Sequence, residues 1–161
     1  MTPTTSRVLI GCGITGLAVV IALVAGGAWF YNAVTVRHIE ASISAPLSVA
    51  LDEPFDITVH IKNTASVSQS LVDLDVAQGY LSGVAIRSAS PPYKESTGLP
   101  LNGGTSLTFK HSIPANGELV VVLHAVGVQE GDFSGDIDLC INSSFGFVTH
   151  QVRTMVTKNG A

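Results

Sequence analysis

The sequence predicts an all-β chain, two antiparallel sheets packed as a sandwich, carried behind one N-terminal transmembrane α-helix. Three observations predict it. From Val8 to Val36 there is no Asp, Glu, Lys or Arg, a run long enough to cross a bilayer. From Ala41 onward apolar residues recur at every second position, the period of a half-buried strand. Clusters of Gly, Pro, Asn and Asp then divide that region into roughly eight short strands at near-regular spacing, as a sandwich requires.

Composition agrees. The 161 residues suffice for one ordinary domain with an appendage. They are 46% hydrophobic and only 12% charged, about half the usual charged share. The mean hydropathy is +0.42, and the deficit of charge sits in the N-terminal run. The rest is mildly acidic, with a net charge of -4 and no basic run, which argues against nucleic acid as a partner because phosphate neutralisation needs clustered Lys and Arg. The expected plan is a short cytoplasmic tail at 1–7, a transmembrane signal anchor at 8–31, a juxtamembrane linker at 32–40, the sandwich at 41–157 and a tail at 158–161.

The N-terminal run admits three readings. Gly11, Gly13 and Gly16 fit G-x-G-x-x-G, the turn that brings backbone close to a pyrophosphate. The helix that would follow, LAVVIALVAGGAWF, has no polar face to show to water, so a dinucleotide cofactor is not expected. Leu9-Ile10-Gly11-Cys12 resembles a lipobox, yet the apolar core of a signal peptide precedes its cysteine, and here it follows. A membrane span accounts for the whole run: Val8 to Tyr31 is 24 residues, enough to cross a hydrocarbon layer of roughly 30 Å with some tilt. Trp29 and Tyr31 then stand at the membrane interface. Because MTPTTSR is too short to fold and the region after Arg37 looks secretable, the N-terminus is placed in the cytoplasm and the C-terminal domain outside.

Each strand has its own signal. Ile43, Ala45, Leu47, Val49 and Leu51 alternate with polar residues, and Asp52-Glu53-Pro54 turns the chain. Phe55 to Lys62 alternates with its odd positions toward a core, and Asn63 to Ser66 is a polar turn. Leu71 to Val76 resumes with Asp73 and Asp75 on the wet side, and a strand near Val84 to Arg87 precedes an irregular loop at Ser90 to Gly98. Further strands are expected at Ser106 to Ile113, Glu118 to Val126, Asp132 to Ile141 and Phe147 to Thr157.

The runs LSVALDEPFDITVHIKNTASVSQSLVDLDV and SIPANGELVVVLHAVGVQEGDFSGDIDLCI resemble bacterial and archaeal immunoglobulin-like modules of the cell-surface adhesion type called CARDB-like. The resemblance covers 41–157 and implies an immunoglobulin-like β-sandwich acting as a binding or spacer module, with no catalytic residues to carry over. The disulfide and core tryptophan of antibody domains have no counterpart, since Trp29 lies in the anchor.

Within the sandwich the chemistry-bearing residues are few. Cys140 shares a strand face with Asp136 and Asp138 and is a candidate intermolecular thiol if that face is wet. Asp132, Asp136 and Asp138, with Asp73 and Asp75, lack the spacing of an EF-hand loop and read as solvated carboxylates rather than a calcium site. His111 and His150 fall on apolar parity and are the metal candidates if their strands are neighbours, although two ligands are too few for a closed zinc site. Glu118 to Val126 is apolar on both faces, and Val120, Val122, His124 and Val126 form the candidate partner surface. Asn142-Ser143-Ser144 is a glycosylation acceptor in a eukaryotic host only. No Ser/His/Asp arrangement is evident in the sequence, so the expected function is a non-catalytic, single-pass interaction or structural module. No cofactor is expected, and the partners are the lipid bilayer and a protein. The alternative is a ligand- or metal-binding surface protein using His111 and His150.

Overall fold

A computed structural model describes residues 19–28, 30–31, 35–100 and 103–158. The chain divides after Thr35 into two units. In the first, residues 19–28 and 30–31 are helical and their described side chains are exposed. The amide and hydroxyl of Thr35 both donate to the Tyr31 carbonyl, at 3.1 and 2.7 Å. Among the described residues no helix is long and apolar enough to cross a membrane. Residues 8–18 and Trp29, and with them the Gly11-Gly13-Gly16 motif and Cys12, lie outside the described residues.

Among the described residues the second unit is a two-sheet β-sandwich of ten strands: β1 (Ile39–Ser44), β2 (Ser48–Ala50), β3 (Pro54–Asn63), β4 (Gln69–Val76), β5 (Val84–Ser90), β6 (Glu95–Gly98), β7 (Thr105–Ile113), β8 (Glu118–Gly127), β9 (Gly131–Ile141) and β10 (Phe147–Thr157). A four-stranded sheet runs β1-β3-β8-β5 and a six-stranded sheet runs β2-β10-β9-β4-β7-β6. The period-two pattern does what it predicts. Ile57, Val59 and Ile61 of β3 face Leu74, Leu107, Phe109, Ile137 and Leu139 from the other sheet in one fully buried core.

Four features depart from the sequence reading. The strand expected across Ile43 to Leu51 is two strands in different sheets: β1 pairs with β3, and β2 pairs with β10. Pro46, which has no N–H, sits at the crossover, and Leu47 swings out to 79% exposure. The alternation survived the switch because both halves point Ile43 and Val49 at the same core. The β2–β10 pairing is parallel, so the sheets are not wholly antiparallel. Within the expected loop, Glu95–Gly98 pairs with β7. Finally, a four-residue helix, Gln78–Leu81, delivers Tyr80 into the core, where its hydroxyl bonds Thr154 Oγ1 at 2.9 Å. Burial pushes the Tyr80 phenol above its ordinary range, the Thr154 bond opposing it.

A register shift between Leu71 and Asp73 adjusts β4 to both neighbours. This bulge turns Leu71 inward with Leu74 and Val76 and leaves Asp73 and Asp75 on the outer face. Asp73 is nonetheless covered at 8% exposure, because hydroxyls of Thr108 and Ser144 donate to it at 2.7 and 2.8 Å. Gly83 sits where a side chain does not fit as the structure stands, since a Cβ there would run into the Phe133 ring.

Candidate functional site

Alternation along β8 buries Val121, Leu123 and Ala125 and turns Val120, Val122, His124 and Val126 to the outer face of the four-stranded sheet. β8 is paired on both edges, to β3 and to β5, so its backbone is satisfied, while on its outer side Val120 is exposed and Val122, His124 and Val126 are half-buried. Across it, register places Asp56 opposite His124, and β5 brings Ser90 alongside. His124 Nδ1 lies 2.7 Å from Asp56 Oδ1, and His124 Nε2 lies 3.1 Å from Ser90 Oγ. With Nδ1–H donating to the carboxylate, Nε2 accepts from the serine hydroxyl, which is the bonding order of a Ser–His–carboxylate relay.

Sequence reasoning missed this trio. Its members are 68 and 34 positions apart, and nothing local links them before the strands pair. Two features weigh against nucleophilic chemistry. Ser90 is followed by Pro91, so the next residue offers no N–H to a developing oxyanion. The side chains of His124 and Asp56 are 42% and 59% exposed, where water screens the pair. As it stands the trio ties three strands together.

The two histidines expected as metal candidates are not brought together. His111 on β7 and His150 on β10 have β4 and β9 between them, about 14 Å across the sheet. His111 aligns through Leu71 with Ile141, whereas His150 aligns with Ile137, a further offset of about 13 Å along the strands. One ion cannot reach both. His111 Nδ1 stands 3.4 Å from the Phe109 carbonyl, and His150 Nε2 is buried without a hydrogen-bond partner among the described residues. No three His, Cys, Asp or Glu gather to hold a metal among the described residues.

Cys140 corrects a second expectation. It lies on the predicted face, but that face is covered there, and the thiol is free and only 1% exposed. It does not present itself to another chain. Its Sγ stands 3.7 Å from Asp75 Oδ2. Burial first, then the Asp75 and Asp73 carboxylates, push the thiol up to about 12. Asp75, Asp136 and Asp138 line a shallow recess of about 120 Å³ beside it. Asp138 also accepts from Thr149, and Asp132 pairs with Arg153, whose guanidinium holds that carboxyl below its ordinary range.

One end of the sandwich is stitched by buried amides. Asn63 Nδ2 donates to the carbonyls of Val67, Ile113 and Pro114 at 2.8, 3.2 and 2.9 Å. Its Oδ1 accepts from Ala65 N and Gln69 Nε2, each at 2.9 Å. Gln69 reaches the Arg37 carbonyl and accepts from Asn142 Nδ2, while Asn142 Oδ1 accepts from Ser70 N. The start of β1 and the β3–β4, β7–β8 and β9–β10 turns thus meet at one pole. Of the expected interfacial residues, Tyr31 is exposed at the end of the described helical stretch and Trp29 lies outside the described residues.

No family model and no curated protein matches the chain. Among solved structures it is similar to the cupredoxin domain of amoB from Nitrosocaldus yellowstonii, with 11% identity over 76% of this chain and 89% of that one at a TM-score of 0.48. It is also similar to the CARDB domain of a Pyrococcus furiosus protein, with 13% identity over 76% and 96% of the two chains at a TM-score of 0.46. A third is AvmM, described as catalysing macrocyclisation in alchivemycin A biosynthesis, with 10% identity over 79% and 93% at a TM-score of 0.47. Likeness at this level assigns neither a family nor a ligand to this chain.

Proposed function

We propose that the chain is a non-catalytic interaction or structural module, held at a membrane by its N-terminal segment with the immunoglobulin-like sandwich on the extracytoplasmic side. The observation that carries the partner role is the outer face of β8, where Val120 is 40% exposed in line with Val122 and Val126. Apolar surface on a strand whose backbone is already paired gains about 25 cal/mol per Å² when another surface covers it. Anchoring is supported by the uncharged run Val8 to Val36. The Ser90–His124–Asp56 trio is read as a tie between strands, because it is open to water and Pro91 supplies no oxyanion donor.

Protease shaving of intact cells tests the placement: loss of residues 41–157, with the N-terminal segment retained in carbonate-washed membranes, is expected. Protection of 41–157 overturns the topology, and release of the chain by carbonate overturns the anchor. Val120→Glu with Val122→Glu is expected to abolish crosslinking to a membrane-bound partner while leaving the β-sheet circular dichroism intact. Undiminished crosslinking overturns the docking face.

A further inference from the structure

The two poles of the sandwich differ in chemistry. At the Arg37 pole the turn tips expose Val67, Phe145 and Phe147, the last two at 72% and 54%. These rings stand on an ordered turn: the Ile141 amide donates to the Gly146 carbonyl at 2.8 Å, and Ser143 Oγ accepts from the amides of Phe145 and Gly146. The exposed charges there are mixed, with Arg37, Lys62 and Lys110 beside Glu40 and Glu118. The opposite pole carries Asp52, Glu53, Glu130 and Asp132 against Arg153 and Lys158. Its exposed Leu47 and Val128 share that end with those four carboxylates.

An anionic membrane surface attracts Lys and Arg and repels carboxylates, and aromatic rings settle at headgroup level. Six residues lead from Tyr31 to Arg37, and a fully extended chain of that length covers about 21 Å. We infer that the Arg37 pole rests on the bilayer, with Phe145 and Phe147 in the headgroup region of an anionic lipid surface and the carboxylate-rich pole directed away. The inference rests on the anchored reading and adds an orientation to it. It leaves the β8 face at the side of the sandwich, open to a protein partner.

The test uses the full chain in vesicles of phosphatidylcholine and phosphatidylglycerol with a nitroxide on part of the phosphatidylcholine headgroups, which quenches indole emission on contact. Trp29 is the sole native indole and reports the anchor in the unmodified chain. In a Trp29→Phe background, Phe145→Trp reports the Arg37 pole and Leu47→Trp the opposite one, with circular dichroism checking the fold of each. Loss of indole emission at position 145 and none at position 47 is expected. With Trp29 quenched, an unquenched position 145, or equal quenching at 47, overturns the orientation and leaves the anchor standing. An unquenched Trp29 overturns the anchor itself, and quenching at 145 then still decides the lipid contact of the turn.

Discussion

Replacing Asn63 tests whether the amide network at the Arg37 pole holds the sheets together. Asn63 is fully buried, and its side chain meets five partners: its two N–H bonds serve three carbonyls, one of them shared, and its oxygen accepts two hydrogen bonds. Each is worth about 1 kcal/mol net, and truncation leaves buried partners without a mate, so Asn63→Ala is expected to cost about 4 kcal/mol. That is a large share of the 5–15 kcal/mol typical of a whole domain, about half of it or more at the lower end. Urea unfolding of the full chain in detergent, followed by far-ultraviolet circular dichroism, measures it, because the sandwich contains no tryptophan. The midpoint should fall with an unchanged slope, the sign of altered stability rather than altered exposure. Asn63→Asp sharpens the test. It keeps the accepting oxygen but aims a second oxygen at the Val67, Ile113 and Pro114 carbonyls, so at neutral pH it should cost at least as much as alanine. Acidification should recover part of the loss as the protonated carboxyl donates again. A loss under about 1 kcal/mol for Asn63→Ala, or no acid recovery in Asn63→Asp, refutes the reasoning.

Three further outcomes are expected. A fluorophosphonate probe should leave Ser90 unlabelled, and His124→Ala should cost under about 1 kcal/mol because its carboxylate pairing is exposed; labelling of Ser90 that disappears in His124→Ala would overturn the reading of the trio as a tie between strands. For Cys140, the folded thiol is held up to about 12, whereas its ordinary value is 9.0. The folded state therefore keeps a proton that the unfolded state loses, and stability present below that lower value declines as pH rises toward the upper one, by at most about 1.4 kcal/mol per unit. Unfolding curves of the wild type and Cys140→Ala should diverge over that window, and parallel curves would contradict the buried thiol. Gly83→Ala should destabilise by about 2–3 kcal/mol through overpacking, measured by thermal unfolding, since the new methyl meets the Phe133 ring. Phe133→Leu in the same chain should relieve part of that loss.

The class of fold was written locally. Strand alternation is a contest between water and core at every second residue, so Ile57, Val59 and Ile61, or Val121, Leu123 and Ala125, announce their burial without knowledge of what covers them. Pairing is another matter. Pro46 marks a break near Ser44 and Val49, but nothing there tells that the chain passes from one sheet to the other, because both sheets line the same core and reward the same pattern. The covered thiol of Cys140 was equally illegible: parity located its face, but its burial comes from neighbours on other strands. His111 and His150 looked alike along the chain and are parted only by the order β10-β9-β4-β7.

What the sequence by itself determined is therefore a set of strands, each with an inner and an outer side, and an uncharged N-terminal run long enough to span a bilayer. Tertiary structure alone decided which outer sides meet. It assembled Ser90, His124 and Asp56 from three strands, separated the two histidines, and brought Arg37, Val67 and Phe145 to one pole. The physical reason is range: hydrophobic periodicity acts between residues two apart, whereas hydrogen-bond register joins residues tens of positions apart and leaves no local trace of its choice.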